Sequence, residues 1–310
     1  MLHEKKSVGV VLVEAILGLF ARLPLRFHIW IGRFVGWFLR SVIRYRRDVV
    51  ITNLSRSFPD KKYKEISAIA KKFYAHLGDI FAEAIWFGGC KGEKGRKRLY
   101  NSYLADVSNP ETYNELYAHG RSMMVLTSHA GNWEMLGGWF CYNHDEANPF
   151  APGYTTMRVV YRRLKSATWD RVMADNRCNC LRGTGFDGYL EAGEVLRSAL
   201  RDRDKKLVYV FPTDQYPYGI ATKHNVGQFL NQETYAMTGG AALACKLGMS
   251  VSYLRWRILD SGRYGLDFVP LCEDASKSTP EDIMRAYYTE LEKDIINEPW
   301  NYLWTHKRWK

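Results

Sequence analysis

The residues best suited to chemistry lie in one short stretch. Residues 123–139 read MMVLTSHAGNWEMLGGW, with His129 and Glu134 separated by four positions. An imidazole can take a proton from an alcohol when one ring nitrogen is free and an acceptor holds the other. The acceptor fixes the tautomer and stabilises the imidazolium that forms. A bend at Gly131 would let the Glu134 carboxylate swing back to His129. Gly131 would also let backbone approach a ligand closely, and the free N–H groups at Gly131 and Asn132 would face developing negative charge. The plainer reading of these residues is a His capping a turn and a Glu favouring a helix N-terminus.

The flanking elements give the two readings equal weight. Met123–Leu126 is an apolar run that reads as a buried strand, and Trp133-Glu134-Met135-Leu136 can start a helix. His129 then sits beyond the carboxyl end of a strand, where α/β sheets usually bind ligands. Two further strands end in polar residues. Thr155–Tyr161 runs into Arg162-Arg163-Leu164-Lys165, and Lys206–Phe211 ends in Pro212-Thr213-Asp214-Gln215. A cationic cluster at a strand end can clamp phosphates bidentately, and cations at a helix N-terminus are otherwise unfavourable. Asp214 and Gln215 offer an acceptor and a donor to a neighbouring hydroxyl or to His129, although Pro-x-Asp is common in turns and by itself reads as one.

The remaining chain reads as helices over 62–88, 110–120, 166–176, 186–203, 235–246 and 279–297. A short strand is expected within 100–107, and 250–259 and 263–271 form paired strands. Residues 91–98 (KGEKGRKR) read as a basic loop, and 227–234 as a loop before the next helix. His76, Asp79 and Glu83 share one face of the 62–88 helix. No second such helix is visible to complete a metal site, so the trio reads as a solvated or substrate-facing stripe and no metal is expected.

Composition sets the setting. The 310 residues are 46% hydrophobic and 14% aromatic, with a net charge of +11. That suits one large α/β domain and an anionic partner. With no zinc-finger spacing and no RNP-type strand, nucleic acid is not expected. The six cysteines show no disulfide framework and read as reduced thiols in a cytosol-facing protein. Residues 7–21 and 23–39 are apolar, but neither is a clean run of the ~18–20 residues that spanning requires. No small-residue cleavage site follows, so a removed signal peptide is not expected. The pair reads as a helical hairpin inserted in or lying along a membrane interface, with Trp30, Arg33 and Trp37 at headgroup depth. Arg40, Arg44, Arg46 and Arg47 follow as a juxtamembrane basic cluster.

HAGNWE resembles the H-x4-D/E acyltransferase motif, and more narrowly the H-x-G-N-W-E form of the late acyltransferases of lipid A biosynthesis, the HtrB/LpxL family. The resemblance extends through YRRDVVITNLSRSFPDK, Tyr161-Arg162, Asp214-Gln215, the stretch 227–234 and the ending PWNYLWTHKRW, covering about Arg44 to Lys310. It departs at Ala130, where many members have Phe, and at Arg162-Arg163, where they have Arg-Pro.

What the resemblance implies is transfer of a fatty acyl chain from an acyl carrier protein or coenzyme A thioester to a hydroxyl of a lipid A precursor or related glycolipid; the alternatives are acylation of another membrane lipid, such as a lysophospholipid, aminolipid or pigment, and a non-enzymatic membrane-binding protein. His129 would be the base and Glu134 its orienting acid. Gly131, Asn132, Arg162, Lys165, Asp214 and Gln215 would serve the oxyanion and substrates, with no cofactor beyond the acyl thioester. The expected partners are an acyl carrier protein, the glycolipid acceptor and a membrane surface, at the cytoplasmic face of a Gram-negative inner membrane. The expected fold is α/β, a mixed central sheet with helices on both faces over residues 46–310, preceded by membrane-associated helices over 1–45. A hydrophobic groove for the acyl tail should adjoin the site.

Overall fold

The computed structural model describes residues 6–151, 153–217, 223–259 and 262–309. Helix α1 (Val8–Phe20) is capped by the Ser7 side chain, and α2 (Leu25–Ser41) follows Pro24. The two are bent by 112°, and among the described residues no single helix is long and apolar enough to cross a membrane. Much of the pair's apolar surface stays uncovered, with Val8 85%, Trp30 69% and Trp37 50% exposed.

Helices α3 (Arg47–Ser57) and α4 (Tyr63–Gly88) come next. Helix α2 lies against α4 at backbone distance. A methyl group on Gly78 would collide with the Gly32 carbonyl, and one on Gly36 with the Tyr74 carbonyl. The Arg33 side chain, 60% exposed, is ion-paired, with both Nε and Nη2 reaching the Asp79 carboxylate at 2.7 Å.

The basic stretch 91–98 is not a loop but most of α5 (Gly92–Ser102). Its cations are anchored on carbonyls: Arg96 donates to Cys180 and Arg182, and Arg98 to Ala21 and Leu23. There follow β1 (Ala105–Val107), α6 (Pro110–His119) and β2 (Met123–Thr127). The helix after β2 is a 3-10 helix over Trp133–Tyr142, not an α-helix. Its Gly137 lies so close to the Arg177 carbonyl that no side chain fits there.

Strand β3 (Met157–Tyr161) and α7 (Ala167–Cys178) match expectation. The helix expected over 186–203 divides into β4 (Tyr189–Glu191), a 3-10 turn and α8 (Val195–Arg201). Gly188 breaks it: its carbonyl accepts the Val159 N–H at 2.7 Å, and Tyr189 stacks on Tyr161 with ring centroids 3.9 Å apart. Sheet pairing outweighs local helix propensity there. Strand β5 (Val208–Pro212) follows.

The expected loop at 227–234 is a hairpin, β6 (Lys223–Phe229) and β7 (Gln232–Met237). Leu230 and Asn231 both have positive φ, 52° and 59°, which is the type I′ pattern of a two-residue hairpin turn. Helix α9 (Gly239–Leu247), β8 (Ser250–Ile258), β9 (Tyr264–Cys272) and α10 (Pro280–Asn297) complete the chain before its aromatic ending.

Seven strands form one mixed sheet in the order β1-β9-β8-β2-β5-β3-β4, with β8 and β9 antiparallel and the other pairs parallel. Central β2 is buried on both faces. Met124 and Leu126 enter a core with α3, α4, α9 and α10; Met123 and Val125 enter a second with α5, α6 and the Trp133–Tyr142 helix. The fold is therefore α/β with helices on both faces. All six cysteines are free.

Candidate active site

Adjacent parallel strands carry their carboxyl ends to one edge, so β2 and β5 deliver His129 and Asp214 side by side. The pairing continues one step past the strands, with the Thr213 N–H on the Thr127 carbonyl at 3.0 Å. Asp214 then accepts twice from His129, at 2.7 Å from ring Nδ1 and at 3.1 Å from the backbone N–H. The Asp214 side chain is 2% exposed and the His129 side chain 16%. Burial opposes ionisation of Asp214, but the charge of His129 and its two hydrogen bonds outweigh it and hold the carboxyl below the usual range. On the other ring nitrogen, Gln215 Nε2 lies 3.1 Å from His129 Nε2. The edge of Trp133 flanks the imidazole at 5.1 Å between centroids.

Glu134 does not hold His129. Its carboxylate forms a bidentate pair with Arg177, at 2.6 and 2.7 Å, and also accepts from Trp133 Nε1 at 3.1 Å. Arg177 donates in addition to the Tyr189 hydroxyl at 2.9 Å. Because residues 133–142 coil as a 3-10 helix, Glu134 meets α7 rather than the turn before it. Asp214, expected beside the substrate or the His, occupies the orienting position foreseen for Glu134.

Gly131 bends the chain as expected, with φ of +62°, and a Cβ there would lie 2.6 Å from the Trp256 side chain. Its N–H is not free, however, because it donates to Asn301 Oδ1 at 2.7 Å. Asn132 is fully buried and turned inward, donating to the Ile80 carbonyl and to Glu83. The Gly131 N–H is therefore not the open oxyanion donor foreseen. Arg162 and Lys165 are exposed just past β3, next to β5, at the same end of the sheet as His129.

The polar stripe on α4 is neither solvated nor open to substrate. Asp79 is paired with Arg33, and Glu83 accepts from Asn132 at 2.9 Å and from the Tyr264 hydroxyl at 2.7 Å. Burial lowers the pKa of His76 to about 4, helped by nearby Arg33, so its imidazole is neutral. Burial raises that of Glu83 to about 7 and that of Asp79 to about 6 against the opposing hydrogen bonds.

The aromatic ending straps the site from behind. Asn301 ties Gly131 to the Trp256 carbonyl, His306 Nε2 accepts the Tyr216 N–H at 3.2 Å, and Arg308 donates to Tyr288, whose hydroxyl reaches the Thr213 carbonyl. Tyr287 holds the Thr127 carbonyl at 2.9 Å. Sequence reasoning missed Arg177, Tyr189, Asn301 and Tyr287. Asn301 carried a signal, a lone amide in an otherwise aromatic and basic terminus. Two cavities lie away from His129, one between α2, α3 and α4 and one between α1, α4 and α7, so neither is the expected acyl groove.

The arrangement can hold an imidazole in one tautomer, stabilise its protonated form and present Nε2 at an accessible edge. That is the equipment for removing a proton from a hydroxyl. A family model described as bacterial lipid A biosynthesis acyltransferase matches residues 2–310. A search of curated proteins found no match.

Proposed function

As the chain belongs to the bacterial lipid A biosynthesis acyltransferase family, and is thus an acyltransferase, we propose that it moves a fatty acyl chain from an acyl carrier protein or coenzyme A thioester to a hydroxyl of a lipid A precursor. The observation that carries the mechanism is His129 held between Asp214 and Gln215. With Nδ1–H donated to Asp214, Nε2 is the basic nitrogen. The acceptor hydroxyl takes the place of the Gln215 amide on Nε2 and gives up its proton there as its oxygen attacks the thioester carbonyl. Collapse of the tetrahedral intermediate expels the thiolate, which recovers the proton from the imidazolium. Asp214 stabilises that imidazolium at 2.7 Å.

The oxyanion needs donors that are not already occupied, which argues against the Gly131 N–H. Arg162 and Lys165 are the cations at the same sheet end, and a well-placed donor is typically worth ~3–4 kcal/mol of barrier. The bidentate Glu134–Arg177 pair fixes Trp133 against the imidazole and so shapes the wall of the site. The exposed apolar faces of α1 and α2 support work at a membrane, proposed here as the cytoplasmic face of the inner membrane. The net charge of +11 favours an acidic carrier protein as donor.

The test is reconstitution. Purified protein in mixed micelles receives labelled acyl carrier protein thioester and a lipid A precursor, and the product is analysed by mass. One acyl increment on the precursor is expected, with His129→Ala lowering the rate at least ~10²–10⁴-fold. Equal transfer by wild type and His129→Ala would overturn the reading.

A further inference from the structure

Three arginines converge on a cavity of about 150 Å³ between α2, α3 and α4. Arg40, Arg44 and Arg47 line it with the Ser41 and Ser67 hydroxyls and Tyr74, and no carboxylate does. None of the residues around His129 takes part. Other partly buried arginines meet carboxylates: Arg177 pairs with Glu134, and Arg255 with Glu290 and Asp294. Among the described residues, Arg40, Arg44 and Arg47 enter no ion pair.

The local backbone brings these charges together at a cost. Arg44 and Arg46 adopt positive φ, 53° and 49°, a region non-glycine residues seldom occupy. Helix α3 starts at Arg47 without a side-chain cap, so cations crowd the end of a helix that disfavours them. Arg46 is tied down on the Thr305 carbonyl at 3.0 Å, and the Tyr74 hydroxyl donates to the Tyr45 carbonyl at 2.6 Å. Both contacts fix the turn that carries Arg44. Three guanidinium groups lining one cavity suit a phosphate, which they can grip bidentately.

The surroundings say which phosphate. Between Arg40 and Arg44 the chain exposes Val42 and Ile43, and the same end of α2 exposes Trp37 and Phe38. A soluble phosphate would account for the arginines but not for apolar side chains beside them. We propose that this cavity binds the headgroup phosphate of an anionic membrane lipid, so that the arginine cradle and the apolar face of α2 engage one bilayer together. The proposal rests on the reading that α1 and α2 dock on a membrane, and goes further in naming a lipid class and its site.

The experiment is vesicle flotation of the full chain with phosphatidylcholine alone or with phosphatidylglycerol added. The pocket variant Arg40→Gln/Arg44→Gln/Arg47→Gln is compared with a control, Arg121→Gln/Arg197→Gln/Arg203→Gln, that removes the same charge from exposed positions elsewhere. Wild type should prefer the anionic vesicles. At about a fivefold effect per surface arginine, the pocket variant should lose about a hundredfold of that preference, and the control should keep it. Binding to neutral vesicles should be unchanged. If thermal melting shows the triple variant unfolded, single Arg44→Gln and Arg47→Gln variants each should lose about fivefold. Equal loss in pocket variant and control would overturn the proposal, since diffuse charge would suffice. Wild type that floats with both vesicles equally would overturn the cavity alone; wild type that floats with neither would overturn the membrane reading beneath it.

Discussion

Replacing Asp214 by Asn should cripple acyl transfer while leaving the fold in place. Asp214 has two oxygens and two jobs, accepting the His129 N–H at 3.1 Å and ring Nδ1 at 2.7 Å. An asparagine has one oxygen. If it keeps the backbone bond, its amide N–H groups face Nδ1 and select the tautomer that carries the proton on Nε2. The nitrogen required as base is then blocked. The negative charge that steadies the imidazolium is lost as well. Opposite charges ~4 Å apart at an effective dielectric near 20 attract by ~4 kcal/mol, and each 1.36 kcal/mol is about tenfold in rate. The charge alone thus accounts for ~10³-fold, and with the tautomer the loss approaches the ~10⁴-fold of an Asp-to-Asn change in a hydrolase triad. Because the Asp214 pKa is depressed, its stabilising contribution is present above the ordinary carboxylate pKa of 3.8 and lost as pH falls through the folded value. At neutral pH it is ionised, so Asp214→Asn should show its full defect there. The assay is kcat/KM for transfer to the lipid acceptor, with circular dichroism as the folding control. A folded Asp214→Asn enzyme within threefold of wild type would refute the reasoning.

Three other expectations follow from the geometry. Glu134→Gln and Arg177→Ala should each lower kcat/KM, and the double variant should lose little more than the worse single one, because both break the same bidentate pair; additive losses in the double-mutant cycle would separate their roles. Asn301→Ala leaves the Gly131 N–H without its acceptor in a buried setting, and should cost ~1–3 kcal/mol in denaturant melts together with a lowered kcat. Glu83 has a raised pKa, about 7 against 4.5, so its folded form holds a proton that the unfolded chain releases. Stability from this group is complete below about 4.5 and is lost as pH rises through about 7, by up to roughly 3 kcal/mol. Glu83→Gln should flatten that decline in denaturant titrations between pH 4.5 and 8; an unchanged slope would assign it to other groups.

The periodic parts of this chain were legible in its residues. Met123–Leu126 is apolar throughout and forms most of the central strand, and Asn109-Pro110 and Thr279-Pro280 mark the helices that start at Pro110 and Pro280. What failed depended on contacts distant in sequence. Tyr189 has helical neighbours on paper but stacks on Tyr161 and joins the sheet edge. Leu230 is an unusual residue for a type I′ turn, which hid the 223–237 hairpin. At the site, His129, Asp214 and Gln215 were all named from the sequence. The partner of His129 was misassigned because Glu134 is near along the chain, whereas Asp214 is 85 residues away and arrives through the β2–β5 pairing. Arg177 had no sequence signal of its own, since a cation on a helix facing solvent and one facing a carboxylate read alike.

The most direct test of the central claim is mass spectrometry of lipid A from cells lacking the gene, complemented with wild type, His129→Ala or Asp214→Asn. The account predicts lipid A short of one acyl chain in the deletion strain, restored by wild type and not by either variant. A full set of acyl chains in the deletion strain, or restoration by His129→Ala, would contradict it.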